Sequence, residues 1–215
     1  MKKIMFDNHY GLENAVLNGT KTMTRRVIKD TNLKDGGSFS IVVDKNGEKH
    51  FSYLSKPCDK PGYNNVCSYR ALKPQYHIGD VVAIAQRYWD LRDCDAFYEA
   101  LAKADPSFPL ECIKGEKGCH NKMFVKAKWM PHQIRITDIK VERLQDISDE
   151  DCLKEGVIKW MDSYIVPGIM EYRKKNNMCF DTPKLAFAAL IKKTCGTITW
   201  HQNPYVFAYT FELIK

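Results

Sequence analysis

Long hydrophobic runs are absent from this chain of 215 residues. No apolar stretch approaches the roughly 20 residues that an α-helix needs to cross a bilayer. Near the amino terminus, only Ile4, Met5 and Phe6 separate Lys3 from Asp7. That run is too short for the apolar region of a signal peptide. We therefore predict a protein with no membrane segment and a cytoplasmic location.

Closely spaced cysteine pairs are also absent, although the chain has 8 cysteines. In the cytosol most of these would be reduced thiols. Cys58 and Cys67 are 9 positions apart, and Cys112, Cys119 and His120 lack the CxxC pairs that are typical of structural zinc sites. We therefore predict core or loop thiols, no metal site and no cofactor.

The chain has no internal repeats or low-complexity segments, and its composition is ordinary. Hydrophobic residues make up 44% and charged residues 27%, as in typical globular proteins. The length suits a single domain with insertions, or one large and one small domain, and it is sufficient to bury a core.

The net charge of +7 is unevenly distributed. Between Cys112 and Arg135 there are six basic residues against one acid, Glu116. From Asp146 to Glu155 there are five acids against one base. Such a distribution would orient a polyanion such as nucleic acid, although charge runs are also common on solvated faces.

Hydrophobic periodicity and turn residues predict the secondary structure. Helices are predicted near 8–18, where Gly19 ends the first, at 95–103, from the Ser148 cap to Gly156, and at 183–193. Strands are predicted at 38–43 and 49–54 around an Asn46-Gly47 turn, at 81–85, at 134–141 with a bulge near Asp138, and at 205–213. The stretch 55–74 is predicted to be a loop. Together these elements predict an α+β fold on a small, closed or nearly closed sheet.

The segment Gly19–Arg26 holds three hydroxyls, one amine and two guanidiniums within 8 residues. Arginine pairs bind phosphates or carboxylates as bidentate forks, and a lysine beside other cations can lose its proton and act as a base. An exposed turn leading into a strand would also account for such residues. The chemistry favours an anion or nucleotide site.

Five blocks in this order resemble the ASCH domain family, whose β-barrel is similar to that of PUA RNA-binding domains. The blocks are residues 19–26, 76–80, 136–148, 155–157 and 200–206. The resemblance implies a single ASCH-like domain over 1–215, a small mixed or antiparallel barrel with short flanking helices. Residues at about 31–73 and 90–122 are then insertions.

The resemblance also implies a cleft for RNA or a modified nucleoside. One bacterial branch is similar to small amidohydrolases that deacetylate N(4)-acetylcytidine, and its catalytic roles fall on Lys21, Thr24 and Glu155. This chain is longer than that branch. It also has Arg25-Arg26 where that branch has an apolar residue followed by one arginine, which favours a ligand that bears phosphate.

Binding to RNA or a nucleotide would use residues near the matched blocks. Arg25 and Arg26 would hold phosphate, and the threonine hydroxyls would contact base or sugar, with the basic run extending the contact along a backbone. Aromatic side chains there would stack on bases, although buried packing is the more common role of such residues. The candidates besides the two arginines are Thr22, Tyr88, Trp89, Lys126, Lys128 and Trp200; His132 carries little weight.

Catalysis at this segment sets a geometric condition. Positions 21 and 24 lie on opposite faces of a straight strand, so their joint action requires a turn or bulge, and a regular strand from Thr20 to Arg26 would exclude it. Glu155, at the end of its helix, is compatible with a surface position as well as a catalytic one.

Three functions therefore follow from the sequence. The first is binding of RNA or a modified nucleotide in a basic cleft. The second is hydrolysis of the amide of an N(4)-acylated cytidine. The third is an adaptor whose insertions bind another protein, of unknown identity.

Overall fold

A computed structural model describes residues 1–29, 33, 37–45, 48–55, 69–169 and 179–214. The strands are β1 Lys2–Ile4, β2 Met23–Val27, β3 Ser38–Val43, β4 Lys49–Leu54, β5 Tyr69–Leu72, β6 Val81–Ile84, β7 Gln133–Arg143, β8 Ile158–Trp160, β9 Ser163–Ile165 and β10 Tyr205–Leu213. The helices are α1 Leu12–Leu17, α2 Asp95–Ala104, α3 Asp149–Lys154, α4 Pro183–Thr194 and α5 Thr197–Gln202. Short 3-10 helices span Leu110–Gly115, Lys117–Cys119, Lys122–Phe124, Ala127–Trp129 and Leu144–Asp146. The predicted α+β class is confirmed.

The largest sheet has five strands in the order β1-β6-β7-β10-β2. β1 and β6 are parallel, and the other pairs are antiparallel. β10 lies between β7 and β2, so Val206 and Ala208 are buried as well as the alternating aromatic residues. Among the described residues no ladder joins β1 to β2, so the hydrogen bonds leave this sheet open, in contrast to the predicted closure.

The bulge predicted near Asp138 is confirmed. Thr210 pairs with Asp138, whereas the next residue, Phe211, pairs with Ile136, so Thr137 is the extra residue. A bulge bends the strand and increases its twist. β7 can therefore pair with β6 at one end and extend beyond it at the other.

A separate sheet has the order β3-β4-β5. Its β3–β4 ladder confirms the predicted hairpin, whose Asn46-Gly47 turn lies outside the described residues. The loop predicted over 55–74 was wrong in its last part, because β5 pairs with β4. Tertiary pairing there prevails over a turn-rich composition. Residues 56–68, with Cys58 and Cys67, lie outside the described part of the chain.

The predicted helices are present, with one boundary moved. α1 begins at Leu12 rather than near residue 8, because the Asp7 carboxylate accepts from the backbone N–H of His9 in a turn and the Asp7 carbonyl accepts from Leu12 N–H. Gly19, at φ 73°, follows the end of α1 as predicted. The Ser148 cap of α3 is confirmed by a hydrogen bond from Asp151 N–H. The β8–β9 hairpin and α5 were not predicted.

Two hydrophobic clusters form the interior. The larger includes residues from both sheets, α1, α3 and α4. The smaller surrounds Trp129 and includes Tyr88 and Phe97, so much of it comes from the predicted insertion at about 90–122. Within the described ranges, no helix has both the length and the apolar character to cross a membrane.

Candidate functional site

A cavity of about 590 Å³ lies beside β2. Its lining comes from five parts of the chain: the residues between β1 and α1, Lys21 with β2, the 3-10 segment at Lys122, Glu155 at the end of α3, and α4 with the residue after it. Lys21, Thr24 and Glu155, the three predicted catalytic residues, all line it. The tertiary structure therefore brings these three positions to one surface.

Lys21 lies just before β2, not within it. The strand begins at Met23, and the Lys21 side chain turns back so that its Nζ donates to the Met23 carbonyl at 2.8 Å. The chain from Thr20 to Arg26 is thus not one regular strand. The geometric condition for joint action of Lys21 and Thr24 is met.

Lys21 and Glu155 form a buried ion pair. Lys21 Nζ lies 2.6 Å from Glu155 Oε2 and also donates to the Glu155 carbonyl at 2.8 Å. The two residues are only 2% and 4% exposed. Glu155 is the residue that caps the carboxyl end of α3, where the backbone turns at Gly156 (φ 101°). The short helix thus places both a carbonyl and a carboxylate against one amine.

The pKa of the Lys21 amine is lowered from its ordinary value of 10.5. Burial is the largest cause, because a charged amine loses hydration there. The carboxylate of Glu155 opposes this change, while the cations Arg26 and Arg25 add to it. The site therefore contains an amine that loses its proton more readily than a solvated lysine.

Arg25 is enclosed by three carboxylates. Its Nε and Nη2 both donate to Glu142 Oε1, at 2.8 and 2.6 Å, its Nη2 also donates to Asp151 and its Nη1 to Glu155, each at 3.0 Å. The side chain is 1% exposed. In place of the phosphate contact predicted for it, Arg25 holds the acidic residues of the site in position.

The buried charges around Arg25 balance. Lys140 completes the cluster, with its Nζ at 2.6 Å from Asp151 and 3.1 Å from Glu142. Three cations (Lys21, Arg25, Lys140) thus face three anions (Glu142, Asp151, Glu155). The floor of the cavity is therefore close to neutral, unlike the basic floor that was predicted.

Asp151→Asn is expected to destabilise the protein by about 2 kcal/mol at pH 7, a typical magnitude for charged hydrogen bonds. Burial alone would raise the pKa of Asp151, but Lys140 and Arg25 outweigh burial and lower it below 3.8. A lowered carboxyl pKa stabilises the folded state above the unfolded-state value, and this stabilisation is lost as the pH falls below about 5. The deficit of the variant should therefore shrink in acid. Urea unfolding at pH 7 and between pH 3 and 5 measures it.

Asp162→Asn is the matched control, because Asp162 is exposed and has no charged partner among the described residues. A deficit of Asp151→Asn that stays constant from pH 7 to pH 3 would contradict the assignment of the lowered pKa.

Thr24 and Arg26 are the polar groups at the cavity with free hydrogen-bonding capacity. The Thr24 hydroxyl makes no hydrogen bond to any described residue. Arg26 donates through Nη2 to the Met5 carbonyl at 2.9 Å and pairs with no described carboxylate. Both are therefore available to a ligand.

The predicted stacking residues have different environments. Tyr88 is 1% exposed in the smaller hydrophobic cluster, where its hydroxyl accepts from Lys126 N–H, so the stacking predicted for it is wrong. Trp200 is half-buried against the larger cluster, with its ring centroid 6.3 Å from that of Phe187. Trp89 is 45% exposed and lies 6.0 Å from His120, which lines the cavity. Trp89 alone of the three has an open ring face near the cavity.

The predicted basic contacts Lys126 and Lys128 do not line the cavity. Lys126 lies 3.9 Å from the centre of the Trp129 ring, and Lys128 donates to the Ala104 carbonyl. Thr22 is half-buried, and its backbone bonds to Lys154 and Phe211. These three residues hold elements together at a distance from the described cavity lining.

Sequence reasoning missed several residues of the site, most clearly Lys122 and Glu13. Lys122 Nζ bonds to the carbonyl of Phe6, to the Asn8 side chain and to Glu13 Oε2 at 2.5 Å. Glu13 also accepts from Gln86, which bonds to His132 at 2.6 Å. A buried acid in a short helix near a basic run is a signal for such a pair, but the sequence does not identify the partner.

A possible metal-binding group lies on the β3–β4 hairpin, away from the cavity lining. One oxygen or nitrogen atom from each of Asp44, Glu48 and His50 lies within 4.8 Å of the others. His50 Nε2 is 3.3 Å from Asp44 Oδ2, which explains their closeness without a cation.

Comparison of the chain with protein-family models, with curated proteins and with solved structures finds no match.

Proposed function

We propose that this chain is an ASCH-type protein with a PUA-like sheet, and that it hydrolyses the acyl amide of N(4)-acylated cytidine in the cavity beside β2. The single observation that carries the proposal is the buried pair of Lys21 and Glu155 at a cavity that Thr24 also lines. These are the three positions to which the family resemblance assigns catalysis. They come from two sequence blocks that lie 134 residues apart.

The chemistry begins with the amine of Lys21. Its three N–H groups are donated to Met23 and Glu155 when it is protonated. After loss of a proton, the amine exchanges one of these contacts for the Thr24 hydroxyl and acts as its general base. The Thr24 oxygen then bonds to the acyl carbon, and Lys21 gains the hydroxyl proton. The resulting ammonium stabilises the oxyanion that forms.

The second half of the reaction releases the two products. The tetrahedral intermediate collapses, the carbon–nitrogen bond breaks, and Lys21 returns the proton to the departing N(4) amine of cytidine. Water then hydrolyses the Thr24 ester with Lys21 again as base, which yields the carboxylic acid. Glu155 holds Lys21 throughout, and Arg25 holds Glu155 through its Oε1 at 3.0 Å.

A second candidate is binding of RNA or a modified nucleotide without turnover. Arg26, which has no described carboxylate partner, and the exposed ring of Trp89 favour it. Hydrolysis is the better-supported function, because Arg25 is already saturated by carboxylates and the floor of the cavity is balanced in charge. A site built for phosphate alone has no need of a buried lysine–glutamate pair.

The proposal includes a cytoplasmic location. All six described cysteines are free, which fits a reducing compartment.

The test is release of cytidine and acetate from N(4)-acetylcytidine, followed by chromatography. The unaltered protein should release both products in equal amounts, and Glu155→Gln should lower the rate about 100-fold, since mispositioning of a general base costs this much. Glu150→Gln, an exposed change on the same helix, is the control and should retain full activity.

Absence of turnover by the unaltered protein would refute hydrolysis. If cytidine or RNA still bound, that result would select the second candidate.

A further inference from the structure

A second cavity, of about 450 Å³, lies on the other side of Arg26. Its walls are the end of β2 with the two residues after it, the end of β5 with Lys73 and Gln75, and two residues of β10. The charged residues of its lining are Arg26, Lys29 and Lys73, and no acidic residue of the described chain lines it. The cavity is therefore a basic one.

The cations of the second cavity lack partners. Lys29 and Lys73 are exposed and make no hydrogen bond or ion pair with any described residue. Arg26 bonds only to a backbone carbonyl. Three positive charges are thus left uncompensated around one concave surface, which concentrates positive potential there.

The other cations of the first cavity differ in this respect. Lys21, Arg25, Arg87 and Lys122 each pair with a carboxylate at 3.0 Å or less. Arg26 is the exception among the described lining cations, and it is also the charged residue that lines both cavities. The unbalanced charge thus begins at the first cavity and continues into the second.

The floor of the second cavity is apolar and rigid. Phe207 and Tyr209 of β10 are 5% and 0% exposed, and the Tyr209 hydroxyl accepts from Gln75 N–H at 3.0 Å. Beside such a floor the attraction between opposite charges is stronger than in open water. An anion there would meet an arginine fork and two lysine amines, the groups that proteins use to bind phosphate.

We propose that the second cavity binds a phosphate of the same ligand whose base lies in the first cavity, with Arg26 between them. The substrate is then a cytidine nucleotide, either free or within RNA, rather than a free nucleoside. This inference rests on the proposed function for the placement of the base, and it assigns Lys29 and Lys73 to substrate selection.

Binding measured by calorimetry tests the phosphate site without any need for turnover. Cytidine 5′-monophosphate should bind about tenfold more tightly than cytidine, equivalent to about 1.4 kcal/mol. The double variant Lys29→Ala/Lys73→Ala should lose most of this preference and leave the affinity for cytidine unchanged. Lys103→Ala/Lys159→Ala removes the same charge from exposed positions outside both cavities and should retain the preference.

Equal affinities for the nucleotide and the nucleoside in the unaltered protein would overturn the inference. So would a double variant that weakens both ligands alike, or neither of them.

A five-nucleotide RNA with a central cytidine identifies the source of the phosphate. Tighter binding of the RNA than of the mononucleotide, with a salt dependence that Lys29→Ala/Lys73→Ala reduces by about 1 for each lost phosphate contact, assigns the site to RNA. Equal binding of RNA and mononucleotide assigns it to the free nucleotide. RNA binding that the double variant leaves unchanged contradicts the inference.

The outcomes separate this inference from the proposed function. If N(4)-acetylcytidine is not hydrolysed but the preference for nucleotide depends on Lys29 and Lys73, the phosphate site stands and hydrolysis fails. If turnover is found with equal kcat/KM for N(4)-acetylcytidine and its 5′-phosphate, hydrolysis stands and the phosphate site fails.

Discussion

Replacement of Lys21 by methionine is expected to lower kcat/KM for N(4)-acetylcytidine by about 10³-fold, within the range of about 10² to 10⁴ that a general base contributes. Methionine fills a similar volume but has no amine to accept the Thr24 proton. Glu155 keeps a cationic partner in the variant, because Arg25 Nη1 lies 3.0 Å from its other oxygen. Steady-state kinetics of cytidine release measure the loss, and thermal unfolding checks that the variant folds.

Lys21→Arg separates the base from the charge. The arginine keeps a positive charge at the cavity but does not lose its proton, so it should be nearly as inactive as the methionine variant. In the unaltered protein kcat/KM should rise with pH as the amine deprotonates. The rise should occur below 10.5, because burial lowers the pKa of Lys21. Near-normal activity of Lys21→Arg would refute the role of Lys21 as base.

Arg25→Met is expected to destabilise the protein by about 3 to 5 kcal/mol, the usual cost of removing one partner from a buried ion pair. The guanidinium contacts Glu142, Asp151 and Glu155 and has a side chain that is only 1% exposed. Without it these carboxylates repel one another in a poorly hydrated site. Urea unfolding should show a lower midpoint with an unchanged slope.

Arg135→Met is the matched control, because its partner Glu212 and Arg135 itself are about half exposed. Such a surface pair contributes about 0 to 1 kcal/mol. The deficit of Arg25→Met should also shrink in acid, as protonation relieves the repulsion among the unpaired carboxylates. A loss below 1 kcal/mol for Arg25→Met at pH 7 would show that the buried cluster does not stabilise the fold.

Local patterns were sufficient to predict several elements. The alternating residues of β10, the bulge beside Asp138, the Ser148 cap and the Gly19 and Gly156 helix ends all lie where the sequence predicted them. Each depends on interactions over a few residues, such as a cap hydrogen bond or a glycine with positive φ. The start of α1 was misplaced because one Asp7 turn competes with the first helical turn.

The candidate site was only partly accessible to such reasoning. The sequence selected Lys21, Thr24 and Glu155 by resemblance, but no local pattern indicates that Glu142 and Asp151 bind Arg25. Two adjacent arginines on a strand point to opposite faces, so they meet different neighbours. Arg25 faces the acids of β7 and α3, whereas Arg26 remains free for a ligand.

The sequence by itself determined the α+β class, most helices and strands, and the short segment that holds the reactive residue types. Only the tertiary structure decided that Lys21 and Glu155 pair, that Tyr88 is a core residue, and that Lys29 and Lys73 join Arg26 at a second cavity. The physical reason is that backbone preference acts over a few residues. Burial and ion pairing depend on which distant segments pack together, and here those segments are as much as 134 residues apart.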